Sequence, residues 1–112
     1  MILAIDPGSA ESAWVALEAG VPVMHAKEPN LELLRRLRGE WEPMHTLLAI
    51  EGIASYGMAV GKEVFDTCMW SGRFREAWEY RGGRVQIVYR KEVKIFHCET
   101  SRATKRNQHE DS

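Results

Sequence analysis

The sequence predicts a single α/β domain built on a mixed sheet whose first three strands form an antiparallel meander. Three observations lead there. Residues 1–5 and 46–50 are short, almost wholly apolar runs, as expected of strands covered on both faces. Three strand patterns crowd into the first 26 residues with only short connections between them. From Asn30 onward, helical spacing alternates with strand patterns, and such units favour parallel pairing through right-handed crossovers.

The elements follow in chain order. The run 1–5 ends at Asp6-Pro7-Gly8, a turn-forming triplet. Residues 13–17 resume the strand pattern, Ala19-Gly20 breaks it, and residues 21–26 form a third strand. Asn30 is positioned to cap a helix that carries Leu31, Leu34 and Leu37 at helical spacing and stops at Gly39. Glu42-Pro43 blocks its continuation, and residues 46–50 supply the central apolar strand, closed by Glu51-Gly52. After a loop bracketed by Gly57 and Gly61, a helix is expected with two apolar stripes. One carries Val64, Phe65, Cys68, Met69 and Gly72; the other carries Trp70, Phe74, Ala77 and Trp78. Such a helix packs on the sheet with one stripe and offers the other to something else, for instance a partner subunit. Gly82-Gly83 ends it, residues 85–89 are the fifth strand, and a basic segment of helical propensity follows. The expected domain covers residues 1–103, with 104–112 a polar, frayed tail.

Composition narrows the function classes. No stretch approaches the roughly 18 apolar residues of a membrane span. The acidic Asp6 and the absence of a basic lead argue against a signal peptide. Cys68 and Cys98 stand far apart with no CxxC pairing, which disfavours a disulfide scaffold or zinc ribbon and fits a reducing cytoplasm. Net charge is only −1, yet it is unevenly spread. Residues 1–60 hold four basic and eight acidic side chains, whereas 81–106 hold eight basic and two acidic. A basic half beside an acidic half fits a polyanion that touches one side, and equally an ordinary solvated surface.

Two carboxylates occupy matching places. Asp6 and Glu51 each close an apolar strand and precede a turn residue. On neighbouring strands they would leave the same sheet edge, where two close acids repel unless a cation neutralises them. Mg²⁺ accepts few carboxylates and completes its shell with water and phosphate oxygens. Each acid taken alone is also an ordinary turn former or helix cap.

Residues Ile2-Leu3-Ala4-Ile5-Asp6-Pro7-Gly8-Ser9 with Ser12-Ala13-Trp14-Val15 resemble the opening of the RuvC-like Holliday junction resolvases, in the ribonuclease H-like superfamily. Leu48-Ala49-Ile50-Glu51 resembles that family's second acidic strand, and residues 55–67 are similar to a short phage and prophage subgroup. Arg90-Lys91-Glu92-Val93-Lys94 resembles the approach to its last helix. The resemblance implies a mixed five-stranded sheet flanked by helices. It also implies Mg²⁺- or Mn²⁺-dependent cleavage of branched DNA by a cytoplasmic, bacterial or phage-encoded homodimer. Asp6 and Glu51 carry over as catalytic metal ligands. The family's further acid on the final helix has no counterpart, for Lys105 stands there in Arg102-Ala103-Thr104-Lys105-Arg106-Asn107. The alternative is therefore a nucleic-acid-binding relative that lacks the third ligand.

DNA contacts are expected from Lys62, Arg90, Lys91, Lys94, Arg102, Lys105 and Arg106, whose charges suit phosphates. Tyr56 can stack on an unpaired base or simply pack. Residues 57–62 imitate a phosphate loop, but with three residues between the glycines and Glu63 in place of Ser or Thr, so a nucleotide-binding loop is rejected. His97 and Cys98 are adjacent and better suited to packing than to chelation, and His25 and His45 receive no role.

Overall fold

The computed structural model describes residues 1–53 and 61–89. The expected elements within that range all form. They are β1 (Ile2–Asp6), β2 (Glu11–Glu18), β3 (Val21–Pro29), α1 (Asn30–Gly39), β4 (Leu47–Gly52), α2 (Lys62–Tyr80) and β5 (Arg84–Tyr89), with a short 3₁₀ turn at Pro43–His45. The strands make one five-stranded sheet in the order β3-β2-β1-β4-β5. β1, β2 and β3 pair antiparallel, while β4 pairs parallel with both β1 and β5.

The meander depends on a two-residue turn. Ala19 and Gly20 both take positive φ, 51° and 79°, as a hairpin turn matched to strand twist requires. The strands run further than the sequence indicates: β2 begins at Glu11 and β3 continues to Pro29. Ladder pairing between Glu11 and Pro29, and between Ser12 and Glu28, extends both past their apolar segments.

One sheet face carries the core. Leu3, Ile5, Trp14, Ala16, Leu48 and Ile50 meet Leu33, Leu34 and Leu37 of α1 and Phe74 and Trp78 of α2, all buried. β1, β2 and β4 each contribute every second residue, as the period of two demands. On α1 the inward positions are Asn30, Leu33, Leu34 and Leu37, while Leu31 faces solvent. The helix starts at Asn30 itself, so its i, i+3, i+4, i+7 face begins one residue before the expected leucine stripe.

Asn30 is not a side-chain cap. Its buried amide does something else. Nδ2 donates to the Gly8 carbonyl at 2.9 Å, and Oδ1 accepts from the buried Ser12 hydroxyl, whose oxygen accepts from the Gly8 N–H at 3.1 Å. The Asn30 N–H also donates to the Ala10 carbonyl at 2.9 Å. The start of α1 thereby pins the turn that follows Asp6. Gly8 is required there, because a Cβ would lie 2.2 Å from the Glu11 carbonyl oxygen.

The other end of α1 is closed from α2. The Arg81 guanidinium donates to the carbonyls of Leu37, Glu40 and Trp41 at 2.8, 2.7 and 3.0 Å, which satisfies acceptors that a helix C-terminus leaves open. On α2, the stripe with Phe74 and Trp78 is the inward one, and Thr67 joins it. The opposite stripe stays exposed, Phe65 at 60% and Met69 at 68%. No helix among the described residues is long and apolar enough to cross a membrane.

Asn30→Ala leaves the Ser12 hydroxyl and the Gly8 carbonyl without their partner. We expect a loss of about 1–3 kcal/mol in urea unfolding. An unchanged midpoint and slope would show that the turn is not held from α1.

Candidate active site on the open sheet face

The second face of the sheet carries neither α1 nor α2. Among the described residues no helix covers this side, and the alternation that buries Ile5 and Ile50 turns Asp6 and Glu51 to it. Ile5 and Ile50 are register partners in the parallel β1–β4 pair, so Asp6 and Glu51, the next residue on each, stand side by side where the strands end. The sequence placed both acids just beyond their strands. In the structure they lie within them, Asp6 as the last residue of β1 and Glu51 as the last but one of β4. Ladder geometry therefore holds both carboxylate backbones.

Register lays out the surroundings as two rows across the sheet. The first reads Lys27, Ala13, Asp6, Glu51 and Val88 from β3 to β5; the second reads His25, Val15, Ala4, Ala49 and Gln86. These residues line a concavity of about 840 Å³. Its floor is formed by small side chains, alanines above all, so the carboxylates rise over a low apolar surface. Gly52 follows Glu51 for a steric reason on the other face: a Cβ there would meet the Tyr89 ring at 2.8 Å and the Ile87 side chain at 2.6 Å.

The donor set here is two hard carboxylate oxygen ligands on neighbouring strands. It suits Mg²⁺ or Mn²⁺, which favour oxygen donors. Among the described residues, no group of three or more His, Cys, Asp or Glu side chains comes together. Asp6 and Glu51 are the two carboxylates that line the concavity.

The other expected site residues are placed as follows. Lys62 begins α2, which packs on the helical side of the sheet, and its ammonium bonds Asp66 at 2.6 Å. That hydrogen bond holds Lys62 above the ordinary lysine pKa. Lys62 is not among the residues that line the concavity. Tyr56, Arg90, Lys91, Lys94, Arg102, Lys105 and Arg106 lie outside the described residues, as do the glycine loop before α2, the basic segment after β5 and the tail 104–112. Sequence reasoning missed Lys27, His25 and Gln86. The alternation in β3 marks Lys27 and His25 as sharing a face, but only register across β2 shows that this face is the one with the acids.

No protein-family model and no curated protein sequence matches the chain. Among solved structures, RuvC of Thermus thermophilus superposes with a TM-score of 0.52 at 15% sequence identity, over 79% of this chain. The chain spans 63% of the length of that RuvC. The mixed five-stranded sheet, antiparallel at its leading strands and flanked by helices, is the ribonuclease H-like fold of RuvC.

Proposed function

We propose that the chain is a metal-dependent DNA endonuclease of the junction-resolvase type, hydrolysing phosphodiester bonds in branched DNA. The observation that carries this reading is the Asp6–Glu51 pair, side by side at the ends of parallel central strands on an open face. The fold shared with RuvC and the Asp6-Pro7-Gly8-Ser9 motif support it. The family's short phage subgroup is the finer assignment, and it rests on residues 55–67 alone.

In this reading Asp6 and Glu51 hold one or two Mg²⁺ or Mn²⁺ ions. A divalent ion bound there supplies a Lewis acid for the scissile phosphate and lowers the pKa of a water nucleophile. The chain's own part is positional. The β1–β4 ladder fixes the two carboxylate backbones, and the Ser12–Asn30 clamp fixes the turn after Asp6. The alanine floor leaves room for a phosphodiester to approach. Basic side chains of the C-terminal half, Arg90, Lys91, Lys94, Arg102, Lys105 and Arg106, hold the DNA backbone, and Tyr56 stacks on an unpaired base.

A homodimer is part of the proposal. The face of α2 turned away from the core exposes Phe65 and Met69. Lys62 and Glu76 stand seven residues before and after Met69 on that face, so a twofold antiparallel contact at Met69 pairs opposite charges. The second reading, a DNA-binding relative that does not cut, is favoured by one feature: only two carboxylates come together among the described residues, and Lys105 occupies the family's third acidic position.

Purified protein with a four-way DNA junction and Mn²⁺ separates the two. We expect cleavage, lowered on the order of 10²–10³-fold by Asp6→Asn or Glu51→Gln, as for the loss of a preorganised electrostatic contact. Junction binding without cleavage, or cleavage indifferent to Asp6→Asn, establishes the second reading or removes this site from the reaction. For the dimer, sedimentation is expected to show two copies for the wild type and one for Met69→Asp, with unchanged circular dichroism. A monomeric wild type would dismiss the α2 contact.

A further inference from the structure

We propose that Lys27 is a phosphate-binding residue of the same site, holding a DNA phosphate next to the one at the carboxylates. The inference rests on the nuclease reading above and adds to it a residue that no sequence motif marks. Lys27 lies in one register row with Ala13 and Asp6, since Asp6 pairs with Ala13 and Ala13 pairs with Lys27. All three face the open side, and Lys27 and Asp6 line the same concavity. Two strand spacings, about 9.6 Å, separate the Lys27 and Asp6 backbones. The intervening side chain is Ala13, so among the described residues no tall side chain stands between the lysine and the acids in that row. A lysine's flexible four-carbon stem spans much of that gap and carries a compact charge with three donors, suited to a phosphate as a point contact.

Its present partner leaves it available. The Lys27 ammonium lies 3.9 Å from Glu11, with the side chains 67% and 54% exposed. An ion pair that long and that exposed contributes little, and a phosphate displaces it at small cost. There is also an electrostatic reason for a cation at this place. Among the described residues that line the concavity, Lys27 is the one lysine or arginine, and so the permanent positive charge that an approaching polyanion meets. Lys62 and Arg36, by contrast, are engaged by carboxylates at 2.6 and 2.7 Å.

The test is junction binding in Ca²⁺ buffer across a KCl series, with cleavage excluded from the readout. Lys27→Met keeps the stem and removes the charge. It is expected to weaken binding and to reduce the slope of log K against log salt by about 1, the signature of one lost phosphate contact. Lys27→Arg is expected to restore the slope. Glu11→Gln, which frees Lys27, is expected to strengthen binding. Arg35→Met, on α1 and ion-paired with Glu32, serves as the control and is expected to leave the slope unchanged. A wild-type slope in Lys27→Met, or an equal reduction in Arg35→Met, overturns the assignment of Lys27 while leaving the nuclease reading intact. Absence of wild-type junction binding overturns both.

Discussion

The parallel pairing of β1 with β4 is the constraint on which the site depends. Ile5 against Ile50 buries two branched side chains under α1 and α2, and a slip of either strand by one residue would turn its isoleucine outward and its acid inward. The same register therefore decides burial and chemistry together. Because the core residues and the carboxylates alternate along the same two strands, the hydrophobic gain that fixes Ile5 and Ile50 also holds two like charges side by side. In the proposed reading, a divalent cation offsets that repulsion.

Around that pairing, short polar contacts position what packing alone would leave loose. Among the described residues, the turn after Asp6 has no buried apolar side chain comparable to Ile5. It is held instead by Ser12 and Asn30, two buried polar residues that bond each other and both backbone groups of Gly8. Arg81 plays a comparable part on the helical side, where it ties the end of α1 to the end of α2. Buried polar groups are costly unless satisfied, and at the turn Ser12 and Asn30 satisfy each other and Gly8.

The two sheet faces divide the labour. The helical face is filled with large apolar side chains, and it is sealed by Trp14, Phe74 and Trp78. The open face is lined by Ala4, Ala13, Ala49, Val15 and Val88 with charge at its margins. Small residues on one face and large ones on the other, along the same strands, let the sheet pack tightly on one side and leave a shallow concavity on the other. Exposed apolar side chains remain at several places, among them Val21, Val23 and Met24 on β3 and Phe65 and Met69 on the outer stripe of α2.

By itself the sequence determined most of the architecture. Apolar runs, Ala19-Gly20, Gly39 and Gly82-Gly83 mark the strands, helices and turns because local sterics and periodicity act over a few residues. It also singled out Asp6 and Glu51, since each ends an apolar run. It misjudged Asn30, whose side chain serves a turn 22 residues away rather than its own helix, and of the leucines it set at helical spacing, Leu31 faces solvent while Leu33 is buried. Nor did it find Lys27. Which α2 stripe is buried, which strands adjoin, and what shares a face with the acids were decided only by the tertiary structure. Those properties follow from pairing register between distant segments, and no local pattern encodes the row that joins Lys27, Ala13, Asp6 and Glu51 across four strands.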